Sequence, residues 1–154
     1  PNFSPRGVNR EDEVVKFYKN SCATYKNVKF VLSHNAMLPP KMLGEIFNFC
    51  KNVFTQFKIM HGGWGVYWKF HDLNIINDFD LKLHKRWADI IKVHSDRFMI
   101  GADFKIRRSK KMSYEETIRR AREVIAGLHP DIQRKIMFDN ANRIYDLRIN
   151  WQPH

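Results

Sequence analysis

A chain of 154 residues has room for one domain with a real core and not for a second, and 44% apolar residues with 12 phenylalanines exclude a disordered polymer. The 27 Lys and Arg against 16 Asp and Glu leave a net charge of +11, more than solubility requires and enough to attract phosphates or anionic surfaces. No apolar run reaches the ~20 residues of a membrane span, and no charged-then-apolar leader precedes Pro1, so the chain reads as a cytoplasmic protein, processed or cut from something longer.

Residues 1–10 carry two prolines, a glycine and two asparagines and read as a loop. From Glu11 to Tyr25, Val14, Phe17, Tyr18 and Cys22 recur at helical spacing, with Glu11, Asp12 and Glu13 in the first turn where the helix dipole favours them. Val28 to Asn35 has a β-branched and aromatic centre and reads as a strand ending in His34. Pro39 and Pro40 open a helix whose apolar spacing runs through Met42, Leu43, Ile46, Phe47, Cys50, Val53 and Phe54. A glycine-rich break at His61 to Gly65 precedes a further strand candidate, Val66 to His71. Leu81, Leu83, Trp87, Ile90, Ile91 and His94 give the next helix face. Ser113 and Glu116 form a capping box for a helix carrying Ile118, Ala121, Ile125 and Leu128. His129 and Pro130 break it and start a short helix to about Phe138, and Asn140 is read as the cap of a last one with Ile144, Tyr145 and Leu147. Cys22 and Cys50 fall within helices without C-x-x-C spacing, so they read as buried thiols of a reducing compartment.

The run Phe98 to Phe104 organises this pattern. It is an apolar strand, buried on both faces, that stops at Gly101 and delivers one carboxylate, Asp103, to the carboxyl end of a parallel sheet. A carboxylate there binds a metal, acts as a base, or caps the next turn. Basic residues are spread over helical faces apart from one loop cluster, Lys105, Arg107, Arg108, Lys110 and Lys111, which argues against a dedicated nucleic-acid site.

Val28 to His34, Phe98 to Phe104, and the tail through Leu128-His-Pro130, Lys135-Ile-Met and Asp139-Asn-Ala-Asn-Arg-Ile-Tyr145 together resemble the C-terminal portion of the metal-dependent amidohydrolase superfamily, in its amidohydrolase and decarboxylase branch. The resemblance spans residues 11–147, with 148–154 as a tail, and implies a partial (β/α)8 TIM barrel: about three parallel strands, the sixth to eighth, with flanking helices. It implies a hydrolase acting on a small-molecule substrate through metal-activated water, or a related decarboxylase. By the same resemblance Asp103 ligates a divalent metal, often zinc, or takes the water's proton, and His34 protonates or positions substrate. His71, which ends a strand as His34 does, joins Trp68 and Lys105 as candidate substrate contacts, each weighed against packing or solvation. The family's other ligands, a His-x-His pair and a further histidine, have no counterpart here, so the site requires a missing barrel half or a second subunit. The competing expectation is a non-catalytic basic α/β module that binds an anionic partner, with no membrane involved.

Overall fold

The computed structural model describes residues 10–57, 82–101 and 113–150. Helix α1 spans Glu11–Thr24, strand β1 Phe30–Ser33, helix α2 Pro40–Phe49, strand β2 Val53–Phe57, helix α3 Lys85–Val93 and strand β3 Phe98–Ile100. Helix α4 spans Tyr114–Ile125 and α5 Pro130–Arg134; a π-helical segment, Lys135–Asp139, leads from α5 into α6, Asn140–Tyr145. The strands form one parallel sheet in the order β1-β2-β3, with Val31 opposite Phe54 and Gln56 opposite Met99.

The sheet has two unequal faces, set by the alternation of side chains along each strand. Phe30, Leu32, Val53, Phe98 and Ile100 point into the main core, where they meet Leu43, Ile46 and Phe47 of α2, Trp87 and Ile91 of α3, and Ala121 and Ile125 of α4. Phe47 packs edge-on against Phe98, with ring centroids 5.5 Å apart. The opposite face is smaller. Phe54 and Met99 are covered by Ile144, with Val31 and Ala141 beside them.

This architecture corrects the expected fold. Among the described residues the sheet is open, with three strands and β1 and β3 at its edges, and it does not close into a (β/α)8 barrel. The motifs behind the amidohydrolase resemblance are short strand ends and helix starts, which successive parallel βα units share whatever their closure. The expected partner, a missing barrel half or a completing second subunit, falls with the barrel. Strands were expected at 28–35 and 98–104 and are found within both, whereas the candidate Val66 to His71 lies outside the described residues. The middle strand is β2 instead. Helix α2 ends at Phe49, and a turn at Lys51 and Asn52 separates it from Val53.

Local chemistry explains the helix starts. Pro40 sits in the first turn of α2, and His129 Nδ1 accepts the Asp131 amide at the start of α5. Ser113 Oγ accepts the Glu116 amide at 3.1 Å, as the capping box requires. The Glu116 carboxylate turns instead to Arg119 and Arg120, whose hydrogen bonds pull it down to about 2. Asn140 is no cap: its backbone is helical, and its side chain serves the sheet.

The cysteines are also corrected. Cys22 and Cys50 are bonded to each other, with Cα atoms 5.8 Å apart, and both are buried. The bond ties the end of α1 to the exit of α2 and closes a loop of 28 residues in sequence separation. Holding that loop closed in the unfolded chain contributes about 3.5 kcal/mol of stability at 25 °C on the loop-entropy argument. The double replacement Cys22→Ala with Cys50→Ala is therefore expected to lower the unfolding free energy by about that amount in urea denaturation. Alkylation of the unreduced, unfolded protein should find neither thiol free; labelling of both would contradict the bond.

Candidate functional site

The chain leaves β1 through a backbone that few L-residues adopt. His34, Asn35, Ala36 and Met37 have φ of 51°, 57°, 51° and 55°, a left-handed turn without a glycine. Left-handed backbone costs roughly 1–2 kcal/mol per L-residue, so such a turn persists only when its surroundings hold it. Asn35, the residue type that best tolerates this region, is 3% exposed, and its Oδ1 lies 3.0 Å from the Thr55 hydroxyl. The same hydroxyl stands 3.0 Å from the Leu32 carbonyl, so one proton serves two acceptors. The Leu38 amide donates to the Asn35 carbonyl, and the Leu38 side chain is fully buried. Ala36 packs against the main core. The turn is thus pinned at Asn35 and Leu38, and His34 is lifted, half-buried, at the carboxyl edge of the sheet.

A second polar pair crosses the same edge. Ser33 and Gln56 are register partners, and Gln56 Nε2 donates to Ser33 Oγ at 3.0 Å. On the other side of Gln56 lies Gly101, where an added Cβ would stand 3.0 Å from Gln56 Cδ and 3.1 Å from its Oε1. The absence of a side chain at Gly101 therefore gives Gln56 the room to reach Ser33. Three strand ends meet at one amide. Carboxyl edges of parallel sheets are where α/β proteins hold ligands.

The candidate site residues read from the sequence divide sharply. His34 is described, half-buried just after the end of β1; Asp103, His71, Trp68 and Lys105 lie outside the described residues. Among the described residues no group of three His, Cys, Asp or Glu side chains can hold a metal ion. Among the described residues, the side chains of Ser33, Asn35, Thr55 and Gln56 on this edge are neutral hydroxyls and amides, the wrong kind for zinc, which takes imidazole, thiolate and carboxylate. The expected divalent metal, the metal-activated water of a hydrolase and the decarboxylase relation are all overturned on these grounds. So is the small-molecule substrate site of a barrel mouth. Sequence reading missed Asn35, Thr55 and Gln56. Thr55 and Gln56 follow directly on a run taken as helix, although Val53 to Phe57 has the β-branched and aromatic composition of a strand.

Comparison of the chain with protein-family models, with curated proteins and with solved structures yields no match.

Because the Thr55 hydroxyl holds the turn, Thr55→Val should destabilise the protein by about 1–3 kcal/mol by stranding the buried Asn35 oxygen, while Thr55→Ser should cost less. Urea denaturation of the two variants decides it, and equal stability of Thr55→Val and the parent would show that the bond does not hold the turn.

Proposed function

We propose that this chain is a binding module for an uncharged, hydrogen-bonding ligand, held at the carboxyl edge of its sheet. The observation that carries the reading is the pair Ser33–Gln56, seated against Gly101 beside a histidine raised on a strained turn. Hydroxyl, amide and imidazole each donate and accept, so together they match a neutral ligand rich in hydroxyl or amide groups, such as a sugar. Ser33, His34, Asn35, Thr55 and Gln56, the described side chains of this edge on which the reading rests, include no carboxylate, lysine or arginine, so among the described residues they favour a neutral ligand. His34 acts here as a hydrogen-bonding side chain. Backbone strain clusters at ligand clamps because a bound partner can use a conformation that the fold alone would not choose, which favours the turn as part of the site.

The disulfide supports an oxidising compartment, the secretory lumen or the extracellular space, in place of the cytoplasm expected from free thiols. Among the described residues no helix is long and apolar enough to cross a membrane.

The test is a residue-resolved NMR titration with a panel of neutral sugars and amides, N-acetylglucosamine among them. Binding should shift the amides of residues 33–37, Gln56 and Gly101 before others. Gly101→Ala, which must displace Gln56, and Gln56→Ala should each weaken it by up to about tenfold, the worth of one or two neutral hydrogen bonds. Shifts confined to other regions, or indifference to both variants, would remove the reading.

A further inference from the structure

At the opposite edge, the loops that enter the strands gather positive charge. Lys26 and Lys29 come from the loop between α1 and β1, Lys51 from the turn before β2, Arg97 from the turn before β3, and Arg143 from α6. Hydrogen bonds from side chain to backbone join these segments into one surface. Asn52 Nδ2 donates to the carbonyls of Tyr25 at 2.9 Å and Val28 at 2.8 Å, fastening the first loop to the second. Arg97 donates to the Lys51 carbonyl, Arg143 to the Asp96 carbonyl at 2.7 Å, and Lys29 Nζ to the Ile144 carbonyl at 2.8 Å.

These bonds satisfy donors without neutralising charge. Among the described residues no ion pair reaches Lys26, Lys29, Lys51, Arg97 or Arg143. The nearby carboxylate, Asp96, is engaged by Lys135 at 2.8 Å, whose hydrogen bond holds it below the usual carboxylate range. Arg97 and Arg143 stand over the same Phe54 ring, 5.2 and 5.6 Å from its centroid. Burial, and then repulsion from Arg143, push the Arg97 guanidinium below its ordinary value, and the attraction of Asp96 offsets only part of this. Like charges held this close destabilise the free protein, and an anion lying across them relieves the repulsion.

We propose that the amino edge of the sheet is a docking surface for a sulfated polysaccharide, with Lys26, Lys51, Arg97 and Arg143 facing successive sulfates. The charges come from several loops, so the surface fits an extended polyanion better than a single small ion. The Cys22–Cys50 bond favours an oxidising, extracellular setting, the one in which sulfated glycans occur. Single-stranded nucleic acid would add stacking on aromatics to the charge, and it is the competing occupant that the experiment separates. The inference is independent of the ligand at the carboxyl edge.

The experiment is affinity for a heparin oligosaccharide measured across a salt series with the full chain. Lys26 and Lys51 are exposed and donate no side-chain hydrogen bond among the described residues, so Lys26→Gln with Lys51→Gln leaves the fold intact. That variant should bind about tenfold more weakly at low salt, and its slope of log K against log salt should fall by roughly one per charge removed. The control, Lys16→Gln with Arg122→Gln, removes the same charge from α1 and α4 and should change binding little. An equal loss in the control would reduce the effect to net charge and overturn the surface. Equal or tighter binding to a single-stranded oligonucleotide or to phosphatidylserine vesicles would overturn the glycan as its occupant.

Discussion

The side-chain amide of Asn140 is the interaction on which the arrangement depends. It is 1% exposed, and its Nδ2 donates to the carbonyls of Ser95 at 2.7 Å and Phe98 at 2.9 Å, while its Oδ1 accepts from Arg143 at 3.2 Å. One residue thus closes the turn before β3, the first carbonyl of β3 and the start of α6. The π-helical turn at Lys135–Asp139 is what brings it there, because an extra residue in the helix rotates everything after it relative to the sheet. With α6 so placed, Ile144 covers Phe54 and Met99, and the sheet gains its second apolar face. Without the amide, two carbonyls would be left without this donor beneath a helix, at about 1–3 kcal/mol each.

The two edges of the sheet follow from this asymmetry. At the amino edge, Asn140, Asn52, Lys29 and Arg97 all spend their donors on backbone carbonyls, which fixes the loops entering the strands. At the carboxyl edge the backbone is strained through four residues, and the opposing support comes from Asn35, Thr55 and the buried Leu38. The rigid edge can therefore present a fixed pattern of charge. The strained edge can present polar groups in a conformation that a ligand exploits. The disulfide between α1 and the exit of α2 stiffens the layer behind both.

Much of the local structure was legible in the sequence, and most of the site was not. Acidic residues in the first turn announced α1, Pro40 announced α2, and Ser113 capped α4 as its spacing required. The apolar runs around Leu32 and Phe98 gave β1 and β3. β2 was hidden because Val53 and Phe54 continue the helical spacing of Ile46, Phe47 and Cys50, and only Asn52 marks the break. The left-handed turn leaves no signature beyond Asn35, since none of its residues is glycine and what stabilises it is Thr55, about twenty residues downstream in sequence. Cys22 and Cys50 look the same in composition whether reduced or joined; their pairing depends on how α1 lies against α2. The barrel resemblance failed for a related reason. Short motifs report strand ends and helix starts, whereas closure and a ligand shell are properties of elements far apart in the chain.

Native-state hydrogen exchange resolved by residue tests most directly the claim that the amino edge and α6 are one locked unit. The account predicts that the amides of β1, β2 and β3 and those of α6 exchange with the same free energy, close to that of global unfolding, while those of His34 to Met37 open separately at lower cost. Exchange of α6 well ahead of β3 would contradict it, because it would mean that the helix detaches from the sheet despite Asn140.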